Sequence, residues 1–168
     1  SVANSAYAGM ILGYTTDGID VASDSYLVTN AYVVTDAAHK VTFRAPQSGA
    51  IEIEVNFNAI NVTQTKLFLG LSDNSTYSPI DFPNSNDTTN EHLLGDIEVF
   101  DFATEFSHKW IVIGLTPNTA YTWYLGAKAE VTEKITIHWG GNGGDEFAPF
   151  IMKATALPAA VTDYAVYG

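Results

Sequence analysis

The stretch Lys40-Val41-Thr42-Phe43-Arg44-Ala45-Pro46-Gln47-Ser48-Gly49-Ala50-Ile51-Glu52-Ile53-Glu54-Val55-Asn56-Phe57 decides the fold class. Val41, Phe43 and Ala45 alternate with Lys40, Thr42 and Arg44; after Pro46 to Gly49 the alternation resumes as Ile51, Ile53, Val55 and Phe57 against Glu52, Glu54 and Asn56. Successive side chains of a strand point to opposite faces, so each run carries one apolar and one wet face. The four turn residues between them predict a hairpin.

The same period recurs along the chain, and nowhere is there a sustained helical pattern of apolar residues at i, i+3, i+4 and i+7. Further strands are expected at Tyr26 to Val34, Lys66 to Ser72, Asp96 to Phe102, Lys109 to Leu115, Tyr121 to Ala129, Lys134 to Trp139 and Pro149 to Leu157, about eight or nine in all. Such a set predicts an all-β, antiparallel two-sheet sandwich with jelly-roll or Greek-key connections. The run Gly114-Leu115-Thr116-Pro117-Asn118-Thr119-Ala120-Tyr121-Thr122-Trp123 has the shape of a tyrosine corner. Leu115 ends a strand, Pro117 turns the chain, and the Tyr121 hydroxyl reaches backbone upstream.

The chain has 168 residues, 46% of them apolar, which suits a single domain spanning 1–168 with a sizeable core. Segments 1–20 and 159–168 lie outside the expected strands and read as peripheral docking segments. There is no cysteine, which excludes disulfides, zinc ribbons and thiol catalysis. Seven Lys+Arg against 19 Asp+Glu give a net charge of −12, which repels nucleic acid. No apolar run approaches the roughly 20 residues of a membrane helix, so no membrane insertion is expected. Ser1 to Ala8 carries neither a positive charge nor a signal-length apolar run. Ser1-Val2-Ala3 reads as a start after methionine removal, so an entire small gene product is expected.

Two regions lack strand character. Asp73 to Gly95 is rich in Asn, Ser, Thr, Asp and Pro and reads as a long acidic loop. Its Asp73, Tyr77, Asp81, Phe82, Asp87, Glu91 and His92 form the candidate ligand or receptor surface. Gly140-Gly141-Asn142-Gly143-Gly144 reads as a tight turn between the last two strands.

Signs of catalysis are few. His39, His92, His108 and His138 show no metal-ligand spacing. Glu52 with Glu54, and Asp96 with Glu98, read as solvated strand faces rather than a glycosidase pair. Gly70-Leu71-Ser72-Asp73-Asn74 lacks the final Gly of a nucleophile elbow. No enzyme and no cofactor are expected. Loop carboxylates at Asp73, Asp81 and Asp87, or at Asp145 and Glu146, suit calcium but lack the spacing of a dedicated calcium loop. Trp110, Trp123 and Trp139 alternate within strands and read as core, whereas Tyr77, Phe82 and His92 are placed to meet a ligand.

Three runs together resemble the β-sandwich virion proteins of tailed bacteriophages, especially marine and cyanobacterial ones. They are His39 to Gly49, Gly70 to Tyr77, and His138 to Asn142 continuing through Pro149 to Pro158. The resemblance spans about Gly13 to Pro158. It implies a non-enzymatic structural protein on the virion surface: a capsid decoration, cement or head-fibre protein, often a homotrimer, that contacts the major capsid protein or tail proteins. The alternative it leaves open is the tip domain of a tail fibre, which attaches to a receptor or carbohydrate of the host surface. On the first reading Tyr7, Met10, Ile11, Tyr14, Tyr164 and Tyr167 would supply assembly contacts.

Overall fold

The computed structural model describes residues 6–80, 90–141 and 146–159. Among them are eleven strands: β1 (Ile11–Asp17), β2 (Asp24–Leu27), β3 (Val33–Val34), β4 (Lys40–Arg44), β5 (Ile51–Asn61), β6 (Thr65–Ser72), β7 (Glu91–Ile97), β8 (Phe100–Val112), β9 (Ala120–Ala129), β10 (Ile135–Trp139) and β11 (Phe150–Ala156). Every pairing is antiparallel, and the strands form two sheets. The protein is an all-β sandwich. No helix among the described residues is long and apolar enough to cross a membrane.

Each sheet is organised around one long strand whose edge is shared by two short ones. In the first sheet β5 pairs with β8 on one side; on the other, β11 covers Ile51–Asn56 and β10 covers Asn58–Asn61. β1 then flanks β11, and β2 flanks β10. In the second sheet β9 pairs with β6, which carries β7, while β4 covers Ala120–Tyr124 and β3 covers Gly126–Ala127.

The alternation read from the sequence sets the inner faces. Ile51, Ile53, Val55 and Phe57 of β5 meet Val41 and Phe43 of β4 and Leu67, Leu69 and Leu71 of β6 in one core. Trp110, Trp123 and Trp139 all lie in it, at 0–2% exposure. The Tyr121 hydroxyl accepts the Thr116 backbone N–H at 3.1 Å, which makes the corner contact, and Leu115 is buried beneath it.

Four details differ from the sequence reading. β4 and β5 do not form a hairpin, because Pro46 to Gly49 carries the chain from one sheet to the other: Gly49 N–H bonds Pro46, Gly49 C=O accepts Leu115 N–H, and Ser48 Oγ donates to Leu157. Residues 11–17, assigned to a peripheral segment, form β1 within the first sheet. Tyr26 to Val34 divides into β2 and β3, one in each sheet, whereas the runs at Asp96 and Lys109 are spanned by β7 and the continuous β8. β7 also begins inside the stretch read as loop, at Glu91, where it pairs with Gly70.

Candidate functional site

The second sheet is interrupted where β3 gives way to β4 along β9, and the chain between them bulges outward. Both ends of the excursion are tied to one residue: Thr35 N–H donates to Leu125 C=O at 3.0 Å, and Leu125 N–H donates to His39 C=O at 2.9 Å. Within it Asp36 Oδ1 accepts the Ala38 N–H at 2.8 Å, a side-chain-capped turn. Opposite this bulge runs β1, drawn close to β4 because Gly13 has no side chain: a Cβ there would stand 2.3 Å from the Thr42 carbonyl oxygen.

The result is an open groove of about 690 Å³ along the seam of the sandwich, lined by Tyr14, Thr16, Asp36, Lys40 and Thr42 among others. That volume is in the range of small-molecule sites, roughly 300–1,000 Å³. Tyr14 is 55% exposed. Asp36 keeps one carboxylate oxygen without a hydrogen bond among the described residues, and Lys40 has no carboxylate partner there. An aromatic residue, a carboxylate, a cation and two threonines thus line one concavity, the Thr42 hydroxyl sharing a hydrogen bond with Thr122 at 2.9 Å.

Beneath the groove lies a buried polar relay. His39, at 0% exposure, places Nε2 3.0 Å from Asp17 Oδ2 and Nδ1 2.7 Å from Thr35 Oγ1. A carboxylate only accepts, so Nε2 carries the proton, and Nδ1 accepts from the Thr35 hydroxyl. Burial pushes the His39 pKa down, against the opposing pull of Asp17, so the ring is neutral at pH 7. The ring stacks on Phe150 at 3.9 Å and meets the edge of Trp139 at 4.4 Å. Although Thr35, His39 and Asp17 have the composition of a hydrolase triad, Thr35 is buried at 4% exposure, and the relay holds the groove wall. Sequence spacing offered no signal for it, since Asp17, at the end of β1, lies 22 residues before His39, which sits in the turn between β3 and β4 of the other sheet.

The loop residues singled out in the sequence divide between two faces. Tyr77 lies on the outer face of the second sheet, over two glycines: a Cβ on Gly126 would stand 2.3 Å from its ring and one on Gly70 2.3 Å from its hydroxyl. Its hydroxyl donates to Glu91 at 2.7 Å, and Tyr32 stacks on it at 5.0 Å and 11°. Asp73 is exposed in the preceding turn. Asp81, Phe82 and Asp87 lie outside the described residues, as do Tyr164, Tyr167 and Asp145 of the other expected sites. Among the described residues no group of three or more carboxylates and histidines could hold a metal ion. Tyr7, Met10, Ile11 and Tyr14 are all exposed, at 69, 37, 52 and 55%.

His92 points the other way, into the gap between the sheets. Its Nδ1 lies 2.8 Å from His108 Nε2, and both rings pack on Trp110, whose Nε1–H donates to Asn90 C=O. Burial first, and the neighbouring His92 second, lower the His108 pKa to about 4. The folded state therefore binds fewer protons than the unfolded chain between pH 6.5 and about 4, and stability falls as pH drops through that window. The expected loss is roughly 1–2 kcal/mol once solvent screening of the half-buried ring is allowed for. Urea titrations at stepped pH check this: His108→Phe should flatten the profile, and a slope equal to wild type would contradict it. His39 and His138 are shifted in the same direction, so part of the acid sensitivity stays in the variant.

Fold and groove together define an antiparallel β-sandwich with a polar, aromatic-sided cleft at its seam. Two solved structures of carbohydrate-binding modules are similar to it. One comprises the N-terminal CBM22-1 and GH10 modules of Clostridium thermocellum endo-1,4-β-D-xylanase 10B complexed with xylohexaose; identity is 14% and the TM-score 0.35, over 94% of this chain and 30% of that one. The other is the CBM22-1 xylan-binding domain of Paenibacillus barcinonensis Xyn10C, at 11% identity and a TM-score of 0.39, over 93% of this chain and 100% of that one. No protein-family model matches the sequence, and no curated protein matches it.

Proposed function

We propose that this protein is a non-catalytic glycan-binding module whose site is the seam groove, displayed on the surface of a phage particle. The observation that carries the reading is that the exposed Tyr14, with Thr16, Asp36, Lys40 and Thr42, lines one open groove at the seam of the two sheets. Sugars offer an apolar ring face for stacking and a rim of hydroxyls that both donate and accept, and this set of side chains meets each demand. The buried relay and the Leu125 tie fix the groove wall before a ligand arrives, which lowers the ordering cost of binding. The resemblance of the sequence to tailed-phage virion proteins supports the setting.

Glycan arrays followed by calorimetry test the reading. Tyr14→Ala should weaken the best-bound glycan by about tenfold or more. An exposed strand residue carries little stability, so the variant's unfolding free energy in urea should change by less than about 0.5 kcal/mol. Binding by no glycan, or equal affinity of the variant, would sink the proposal.

A second reading is favoured by one observation. Tyr7, Met10 and Ile11 form an exposed apolar run leading into β1, a strand paired on one side only among the described residues. Such a run suits contact with a second copy or with another virion protein. Tyr7→Ser with Ile11→Thr should dissociate an oligomer in sedimentation while leaving glycan affinity unchanged. A monomeric wild type that also fails to bind particles lacking it would remove this reading.

A further inference from the structure

The cations of this acidic chain are unevenly placed. Of seven Lys+Arg, four lie on the outer face of the second sheet: Lys40 and Arg44 of β4, Lys66 of β6 and Lys128 of β9. Register puts them on one face, since their alternate neighbours Val41, Phe43, Leu67, Ala127 and Ala129 all point into the core. Lys66 faces Glu130 at 3.7 Å. Lys40, Arg44 and Lys128 have no carboxylate partner among the described residues, although the chain carries 19 Asp+Glu. Of the acids at this face, Glu91 accepts the Tyr77 hydroxyl, Asp96 the Gln64 amide and Glu130 faces Lys66, while Asp36 beside Lys40 in the groove has one oxygen bonded to the Ala38 N–H.

Two of the unpaired cations lie beside aromatic rings. The Lys40 ammonium is 5.7 Å from the Tyr124 ring centre, and that of Lys128 is 5.4 Å from Tyr32 and 5.1 Å from Phe68. Ring contact localises an ammonium while its N–H donors stay available to an anion. Lys40 also lines the seam groove, and it pairs across the strand with Tyr124, four residues before Lys128 on β9. At about 3.3 Å per residue the two cations stand about 13 Å apart along the strand. Between them Gly126 and Gly70 lower the surface, and the Tyr77–Tyr32 stack fills it.

Resting on the glycan-binding reading above, we infer that the ligand is an anionic polysaccharide, bearing carboxylates or sulfates on its sugar rings. It runs from the seam groove across the outer face of the second sheet to Lys128. A neutral sugar would leave the Lys128 ammonium without an anionic partner, whereas Arg44 already donates to the Asn118 carbonyl, and a ligand that reaches from the groove to Lys128 must be a chain rather than one ring. The net charge of −12 opposes approach at long range, but it is screened beyond about 8 Å at physiological salt, inside which the local cations dominate.

The test pairs anionic probes with neutral partners of the same backbone: polygalacturonate against its methyl ester, and dextran sulfate against dextran, with duplex DNA as a sugar-poor polyanion. At least one anionic member should bind tenfold or more tightly than its partner, and which pair responds separates carboxylate from sulfate. Lys128→Gln and Lys40→Gln should each lose about three- to tenfold on that probe, with a weaker salt dependence and an unchanged urea midpoint. A neutral glycan bound as tightly as its anionic counterpart, or Lys128→Gln without effect, overturns the inference and leaves the glycan reading standing. DNA bound as well as the best polysaccharide also overturns it, because charge alone would then suffice. Binding by no polysaccharide, charged or neutral, removes the glycan reading itself.

Discussion

Replacing His39 with alanine is expected to destabilise the protein by about 3–5 kcal/mol, a large share of the 5–15 kcal/mol that holds a typical domain folded. Two costs add. The imidazole fills the space between Phe150 and Trp139, at 3.9 and 4.4 Å, and its removal leaves a cavity. The buried Thr35 Oγ1 loses its partner, and an unsatisfied buried polar group costs about 1–3 kcal/mol, while the Asp17 carboxylate, its side chain 23% exposed, loses its bond to Nε2 but can turn to water. The main-chain tie from Leu125 N–H to the carbonyl of residue 39 survives the substitution, so the loss is confined to side-chain packing and polar satisfaction. Urea denaturation at pH 7 measures the loss, and a change under about 1 kcal/mol would show that the relay is dispensable. Asp17→Asn sharpens the argument. An amide oxygen still accepts the Nε2–H of a neutral ring, so that variant should cost less than about 1.5 kcal/mol. A much larger cost would mean that His39 is charged in the fold, contrary to the burial that lowers its pKa.

The faces of this sandwich were legible in the sequence and its partners were not. Alternation in Ile51 to Phe57 and Val41 to Ala45 assigned the inner side chains, because a strand has only two faces. The same alternation is silent about which strand lies alongside, so the Pro46 to Gly49 turn, an arch between sheets, carries the same local signature as a hairpin. β1 escaped notice because Ile11, Leu12, Gly13, Tyr14, Thr15, Thr16 and Asp17 do not alternate; as an edge strand it is half-exposed on both sides. The tyrosine corner was readable because its parts lie within six residues. The seam groove unites residues 14–16 with 36–42, and its supporting relay joins positions 22 apart, so no local pattern announces it. Tyr77 was singled out as a loop aromatic, while the glycines that seat it, Gly70 and Gly126, lie on β6 and β9 and gain their meaning only from the pairing of those strands.

Gly13 should not accept a side chain without a shift of β1. An added methyl would stand 2.3 Å from the Thr42 carbonyl oxygen, 3.2 Å from its carbon and 3.0 Å from a Val41 methyl. Two of these three neighbours are backbone of a strand held by five paired residues of β9, so neither can rotate aside. Relief requires β1 to move off β4, which opens the seam of the sandwich and splits the groove between Tyr14 and Lys40. Gly13→Ala is therefore expected to cost about 2–3 kcal/mol and Gly13→Val more, at the upper end of overpacking effects, with glycan affinity falling alongside. Gly126→Ala offers the contrast. Its obstacle is the Tyr77 ring at 2.3–2.5 Å, the far part of a side chain that can swing outward. That substitution should disturb the Tyr77–Tyr32 stack at a cost of about 1 kcal/mol, well below that of Gly13→Ala. It should weaken binding along the outer face of the second sheet while leaving the groove intact. Thermal melts and affinities of the two variants, measured side by side, decide the matter: equal stability losses, or Gly13→Ala at wild-type stability, would mean that β1 does not close the seam against β4.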